Sequence, residues 1–177
     1  MVGISRIAIT TAAAFVIGLS AAPKLQAAPE KTIVATAVAN PNFSTLVTAV
    51  KAAGLVDTLS GKGPFTVFAP TNKAFATLEK KIGTKKFDYI LAHKKLLTAI
   101  LTYHVLAGKV VAANVIALKN GAKVKTVEGS YIVVHHGMKG VFVNKAKVIT
   151  TNIMCSNGVI HVINSVLLPP DLRKYMH

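Results

Sequence analysis

The residues best suited by type to metal or acid–base chemistry are two histidines, His104 at the predicted end of a helix and His161 inside a predicted strand. One interpretation is that they share a metal ion or exchange a proton. The other is that their ring nitrogens bond to the backbone or to neighbouring polar side chains, as buried polar groups normally do. Neither histidine has metal-ligand spacing to a Cys, Asp or Glu. We therefore favour the structural interpretation and predict no bound metal.

Two further features could support chemistry, the pair His135-His136 and the single cysteine, Cys155. Adjacent residues on a strand point to opposite faces, so the two histidines cannot chelate one ion together. A weak surface site at one of them is the alternative to plain polar residues at a strand end. A lone cysteine cannot form an internal disulfide. We interpret it as a small buried hydrophobe rather than a reactive thiol or an intermolecular bridge.

The sequence offers no other constellation for catalysis. Its six acidic residues form no close pair, so the two carboxylates of a glycosidase are missing. There is also no Gly-x-Ser-x-Gly turn and no phosphate-binding loop before a helix. We therefore expect a protein that is not an enzyme and that has no cofactor.

Positive charge is the strongest signal outside the motifs. The chain has 21 basic and 6 acidic residues, a formal net charge of +15. Such a field attracts anionic polymers and surfaces and repels copies of the same protein, so we expect a monomer. Removing Arg6 and Lys24 with a predicted leader leaves 19 basic and 6 acidic residues, or +13.

The lysines fall into two clusters. The pairs Lys123/Lys125 and Lys145/Lys147 each share one strand face in the predicted pattern, and would form a basic ridge if their strands are close. A basic linker over residues 80–86 adds a second cluster, made of Lys80, Lys81, Lys85 and Lys86. A merely solubilising surface is the alternative. As partners we favour an anionic polysaccharide, an envelope surface or another protein over nucleic acid, because the ridge lacks interleaved aromatics and export is predicted.

The first 27 residues are typical of a secretory signal peptide. Arg6 gives the N-terminal region its positive charge, and Ile7 to Ala22 is apolar or small throughout. Cleavage after Ala27 would make Ala28 the first residue of the mature protein. A retained membrane anchor or a helix packed on the domain is the alternative. We expect a secreted or periplasmic protein with a short lead over 28–31, a domain over 32–170 and a tail over 171–177.

Hydrophobic periodicity predicts helices first and strands later. Asn42 is predicted to cap a helix over Phe43 to Ala53, and a second long helix is expected over Phe87 to Tyr103. Between them, Phe65 to Ala69 is a short strand stopped by Pro70, after which Thr71 or Asn72 caps a helix. From Ala122 onward the pattern alternates as strands do. This order indicates an α+β fold.

Three motifs in this order resemble the signatures of the fasciclin, or FAS1, domain family. They are Thr66 to Phe75, Tyr103-His104 within Leu101 to Val105, and Thr151 to Pro169 with Ser156-Asn157-Gly158 at its centre. The matching positions that the resemblance assigns to the scaffold are Thr66, Phe68, Ala69, Pro70, Thr71, Asn72, Phe75, Tyr103, His104, Asn152, Asn157, Gly158, His161 and Asn164. Asn164 stands where the family commonly has Asp, and an amide cannot act as a base.

The resemblance implies a β-sandwich-like wedge with helices packed along one side. It also implies a secreted or surface-associated, non-catalytic module of a class linked to cell adhesion and matrix contact. In this interpretation the motifs build the scaffold and the partner binds elsewhere, for example on the basic ridge. The alternative is a periplasmic protein that holds a small ligand in an apolar cleft beside Tyr103 and His104.

Overall fold

Helices occupy most of the first half of the part of the chain that the structure describes. A computed structural model describes residues 31–172. Thr32 caps the first helix by accepting a hydrogen bond from the Ala35 amide, and left-handed Gly54 ends the second. The helices are α1 Ile33–Val38, α2 Ser44–Ala53, α3 Val56–Ser60, α4 Asn72–Ile82, α5 Thr84–Ala92, α6 Lys94–Tyr103 and α7 Ala112–Ala117, with a 3-10 helix over Pro41–Phe43.

Within the described residues, seven strands form one mixed sheet in the order β2-β1-β7-β6-β5-β4-β3. Alternation of apolar and polar residues defines the later strands, since Ile132 and Val134 are buried while Tyr131 and His135 are exposed. The strands are β1 Phe65–Pro70, β2 Val105–Ala107, β3 Ala122–Lys125, β4 Tyr131–Gly137, β5 Gly140–Val143, β6 Ala146–Cys155 and β7 Gly158–Ile163.

The centre of the sheet is the parallel pair β1 and β7. Phe65 lies opposite Gly158 and Pro70 opposite Ile163, while the other neighbouring strands pair antiparallel. All of β7 and nearly all of β1 are buried. A strand buried on both faces reads as a continuous apolar run, which is what Val159 to Ile163 shows apart from His161.

Two apolar clusters lie on opposite faces of this central pair. Val67 and Ile160 point to the helices and pack with the apolar faces of α1, α2 and α6. Phe68 and Ile163 point the other way and pack with β4, β5 and β6. The amide of Val127 donates a hydrogen bond to the Val105 carbonyl, 2.8 Å away, which joins the chain after β3 to the far-edge strand β2. The sheet therefore curls into a nearly closed wedge, and the predicted α+β class is confirmed.

Three local predictions need correction. Asn42 does not cap the helix that ends at Ala53: the side chain of Asn40 accepts the Asn42 amide and caps the 3-10 helix before α2. The predicted helix over 87–103 is two helices, because the ring of His93 bonds to the Tyr89 carbonyl at 2.7 Å and ends α5. The predicted basic linker over 80–86 is helical except at Gly83, where the backbone has φ +88.

A substitution at Gly158 can test the pairing between β1 and β7. A Cβ atom added there would lie 2.0 Å from the Phe65 carbonyl oxygen, so β1 and β7 could not keep this approach. We expect Gly158→Ala to lower the free energy of unfolding by about 3 kcal/mol, measured by urea denaturation. Gly137→Ala is the matched control, since no atom lies within 4 Å of its added Cβ and a change within about 0.5 kcal/mol is expected. Equal effects at both glycines would contradict the steric explanation.

Candidate functional site

His104 joins the end of α6 to the segment that follows β7. Its Nδ1–H donates to the Ile100 carbonyl at 2.7 Å, and its Nε2 accepts the Leu167 amide at 2.9 Å. The side chain is fully buried. Because the Leu167 amide can only donate, the imidazole is neutral with its proton on Nδ1. Both ring nitrogens are therefore engaged with backbone groups.

His161 makes the complementary arrangement in β7. Its Nε2–H donates to the Val110 carbonyl at 2.8 Å, and its Nδ1 accepts the Asn152 amide at 3.3 Å. The ring stacks on Phe68, with 5.7 Å between ring centroids. This histidine is fixed in the opposite tautomer from His104, and it anchors the loop before α7 to the sheet.

Burial controls the protonation of both rings. It lowers the pKa of His104 to about 4, and a backbone hydrogen bond to Ile100 only partly offsets this. Burial also lowers the pKa of His161, again against a backbone hydrogen bond. Within residues 31–172 there is no group of three or more His, Cys, Asp or Glu residues that could hold a metal ion.

Tyr103 and Thr66 use their hydroxyls in the same way. The Tyr103 hydroxyl donates to the Tyr131 carbonyl and accepts from the Asn144 amide group, both at 3.0 Å. Burial raises the pKa of Tyr103. The Thr66 hydroxyl donates to the Gly108 carbonyl at 2.7 Å and accepts the Val110 amide at 2.8 Å. Each hydroxyl thus bonds to a segment distant in sequence.

Four asparagines of the motifs fix loops. Asn72 accepts the Thr45 amide at 3.1 Å and so caps α2 from a neighbouring element, while Thr71 caps α4 through the Ala74 amide. The other asparagines each accept a backbone amide: Asn152 from Ala112, Asn157 from Ile33 and Asn164 from Lys147. Asn157 also donates to the carbonyls of Leu59 and Gly61. No buried side-chain nitrogen or oxygen of the described chain lacks a hydrogen-bond partner.

The alternative prediction, an apolar ligand cleft beside Tyr103 and His104, has a counterpart in the structure at His104 but not at Tyr103. The cavity that touches His104 is apolar, has a volume of about 30 Å³ and lies between α1, α2, α3 and the sheet. Pockets for organic ligands are roughly ten times larger, about 300–1,000 Å³. At this volume the cavity has less room than an organic ligand of ordinary size needs.

The register of the strands decides which lysines share a face. Lys123 lies opposite Val133, Lys125 opposite Tyr131, and Lys147 opposite Phe142. Residues directly opposite in an antiparallel pair point to the same side, and their neighbours Ile132, Val134 and Val143 are buried on the other. We call this side of the sheet the outer face; it carries Lys123, Lys125, Tyr131, Val133, His135, Phe142, Lys147 and Ile149.

Two expectations about the lysines are corrected by this geometry. Lys145 lies in the tight turn between β5 and β6, next to left-handed Asn144, and not on a strand face. The ridge also does not lack aromatics, since Tyr131 and Phe142 stand directly beside Lys125 and Lys147. Sequence reasoning missed this because cross-strand neighbours depend on the register, which alternation alone does not give.

The second lysine cluster is divided between two helices. Lys80 and Lys81 lie in the last turn of α4, and Lys85 and Lys86 lie in the first turn of α5. All four are exposed.

The remaining candidates for chemistry are held by short contacts with neighbouring polar groups. The ring of His135 lies 3.2 Å from the Asn120 side chain, and the ring of His136 bonds to the Leu118 carbonyl at 2.9 Å. Cys155 is buried, and its thiol lies 3.4 Å from the Thr36 hydroxyl.

Two asparagines that sequence reasoning overlooked hold the outer strands in place. Asn144, at φ 54, accepts the Val133 amide at 2.8 Å and donates to the Tyr103 hydroxyl. Asn120 bonds to the side chain of His135 and the amide of His136. An Asn between two β-prone runs is a hairpin signal, so Asn144 could have been found from the sequence. Asn120 carried no such signal.

The fold and the three motifs identify the class of protein. The sequence profile of the Fasciclin domain matches residues 41–169, which is most of the chain. The chain therefore belongs to the fasciclin domain family, and the family resemblance of its motifs is confirmed. No helix within residues 31–172 has the length and apolar character needed to cross a membrane.

Individual relatives come from bacteria and animals. Protein sll1483 of Synechocystis sp. is 50% identical over 139 residues, covering 78% of this chain and 74% of that protein. The cell surface glycolipoprotein MPB83 of Mycobacterium bovis is 36% identical over 143 residues, covering 77% of this chain and 60% of that protein. Among solved structures, a FAS1 domain pair from the insect cell adhesion molecule fasciclin I matches with a TM-score of 0.69 at 21% identity, over 81% of this chain and 53% of that one.

The buried histidines predict a specific acid response. In the unfolded chain His104 takes up a proton near the ordinary histidine pKa of 6.5, whereas in the folded protein its pKa is about 4. Acidification therefore favours the unfolded state throughout this window, and His104 alone should remove about 3 kcal/mol of stability between about pH 6.5 and 4. The pKa shift at His161 has the same sign.

The measurement is the free energy of unfolding against pH, from urea denaturation. His104→Gln should be less stable at neutral pH, because it cannot keep both backbone bonds, and should have a flatter acid dependence. His93→Gln, at an exposed histidine, controls for loss of an imidazole and should keep the steep dependence. An unchanged slope in His104→Gln would show that the acid response has another origin.

Proposed function

We propose that this fasciclin domain is an exported, non-catalytic interaction module that binds an acidic polysaccharide of an envelope or matrix through the outer face of its sheet. The observation that supports this most directly is the placement of Lys123, Lys125 and Lys147 on one exposed face with Tyr131 and Phe142 between them. Strands β3 to β6 contain no Asp or Glu, so no acidic side chain from those strands opposes this charge.

The dimensions of the face suit an extended polymer. Lys147 on β6 and Lys123 on β3 are separated by three inter-strand spacings, about 14 Å in total. Tyr131 is 55% exposed and presents a flat apolar surface beside the Lys125 ammonium group. A chain with repeated acidic groups and an apolar ring face can contact cations and aromatics in turn, whereas a small anion would use only one lysine.

The hydrogen bonds that the motif residues make to the backbone support a binding role without catalysis. The ring nitrogens of His104 and His161 bond to backbone groups, so neither is available as a base or a metal ligand without breaking the fold. In this proposal the motif residues are scaffold. The recognition chemistry lies on the lysine-bearing surface.

Adhesion and location are also part of the proposal. The insect protein with the same fold is a cell adhesion molecule, and one relative is a cell surface glycolipoprotein. The formal charge of +13 that remains after loss of the predicted leader disfavours self-pairing at low salt, so the proposed partner is a different, anionic surface and the domain itself is monomeric.

Export has its own test. The predicted signal peptide, residues 1–27, lies outside the described residues. N-terminal sequencing of protein from its source should find Ala28 first, because a signal peptidase would remove the apolar leader. An uncleaved Met1 would contradict export through a cleaved leader.

The outer face predicts a site-specific loss of polysaccharide binding. The triple variant K123E/K125E/K147E should weaken binding to immobilised dextran sulfate by about 100-fold at low salt, because three cations become repulsive. The control variant K62E/K73E/K95E makes the same change in net charge at exposed lysines outside the outer face, and should lose less than about tenfold. Affinities are measured by biolayer interferometry across a salt series.

The outcomes separate the proposal from its competitors. Equal losses in the two triple variants would show that net charge alone, and not the outer face, attracts the polymer. A wild-type affinity that is independent of salt would also contradict the proposal. Single-stranded DNA serves as a second ligand: tighter binding to DNA than to dextran sulfate would replace the polysaccharide with nucleic acid. Tyr131→Ser should reduce the affinity without changing its salt dependence.

A further inference from the structure

A groove of about 400 Å³ lies between α5, α6 and the chain that follows β7, and no residue of the outer face lines it. Its apolar lining comes from Ile82, Ile90, Leu96 and Leu168, which are brought together from four segments. At its edge stand Lys85 and Lys86. Its volume falls within the range of about 300–1,000 Å³ that is typical of ligand pockets, unlike the void beside His104.

The lining combines apolar side chains with side chains of one kind of charge. No Asp or Glu lines the groove, although Asp88 is on the same helix as its lysines and Asp171 precedes Leu172 at its rim. Lysine side chains of this kind lay their methylene groups along apolar surface and keep the ammonium group in water. The groove therefore offers a place for hydrocarbon next to two cations.

From this complementarity we propose that the groove binds a single-chain amphiphile with an anionic headgroup, of the fatty-acid class. The hydrocarbon chain lies against Ile82, Ile90, Leu96 and Leu168, where apolar contact removes its methylene groups from water. The carboxylate accepts charge-assisted hydrogen bonds from Lys85 and Lys86. Tyr89, which is stacked on His93, closes one side with an exposed ring.

Two other occupants fit the groove less well. The residues that follow Leu172 begin with Arg173 and Lys174, so the chain's own C-terminal sequence carries the same sign as the rim. A bilayer surface would place its anionic headgroups against the lysines, but it would leave a concave groove of this volume unfilled. A separate single-chain amphiphile satisfies both the charge and the cavity.

The experiment uses the full mature chain and three twelve-carbon probes: dodecanoate and dodecyltrimethylammonium below their micelle concentrations, and dodecanol below its solubility limit. Isothermal titration should show one dodecanoate bound per chain with a dissociation constant of about 1–10 μM. Dodecanol should bind about tenfold more weakly because it lacks the charge, and the cationic probe should not bind detectably. Amide shifts in NMR spectra should cluster in α5 and α6.

Variants test the two lysines against a matched pair. K85E/K86E should reduce the affinity for dodecanoate at least to that for dodecanol, while leaving dodecanol binding unchanged, which also shows that the variant is folded. K80E/K81E makes the same charge change at the end of α4, at residues that do not line the groove, and should bind dodecanoate with an affinity within about threefold of wild type.

Three results would overturn the proposal. The first is no saturable binding of dodecanoate, and the second is an equal loss of dodecanoate affinity in K85E/K86E and K80E/K81E. The third is binding only to phosphatidylglycerol vesicles, which would indicate a membrane-contacting surface. The proposal is independent of the polysaccharide proposal, since K123E/K125E/K147E should bind dodecanoate normally. Loss of one activity without the other would therefore identify which surface has been misassigned.

Discussion

The parallel pairing of β1 with β7 is the contact on which the rest of the structure depends. It pairs Phe65 with Gly158, which are far apart in the sequence. The two backbones approach so closely there that only a glycine fits. Asn157 then fixes the adjacent loops through the Ile33 amide and the carbonyls of Leu59 and Gly61. Because this pair is buried on both faces, it divides the interior into a helix-side cluster and a sheet-side cluster. Helices and outer strands are positioned by the same two strands.

Local features of this arrangement were predictable from the sequence, and non-local ones were not. The strand that ends at Pro70 and the cap at Thr71 follow from residue types within a few positions. The capping of α2 by Asn72, from another element, depends on a contact that no local pattern encodes. The break at His93 was missed for the opposite reason: its bond to the Tyr89 carbonyl is local, but the apolar period continues through it.

The same distinction holds for the sites. His104 and His161 could be singled out from the sequence, yet their partners Leu167 and Val110 lie far away and became known only from the fold. Alternation placed Lys123 and Lys125 on one face, but the aromatic residues beside the lysines come from neighbouring strands whose register was unknown. The groove is the least predictable feature. Ile82 and Leu168 line it together only because the chain after β7 returns to the side of α5.

The buried motif residues already have their hydrogen-bond partners, and this affects where ligands can bind. A buried group that already bonds to the backbone must lose that bond to bind a ligand, at a cost of about 1–3 kcal/mol for each orphaned partner. His104, His161, Tyr103 and Thr66 are all in this position, so ligand binding at these residues competes with folding. The lysines of the outer face and of the groove bear no such cost, because they are exposed and can bind an anion without breaking a buried hydrogen bond. Under the two proposals both surfaces bind anions, but the broad outer face suits an extended polymer and the apolar groove suits a single hydrocarbon chain. The two proposed sites on this domain therefore differ in shape, not in charge.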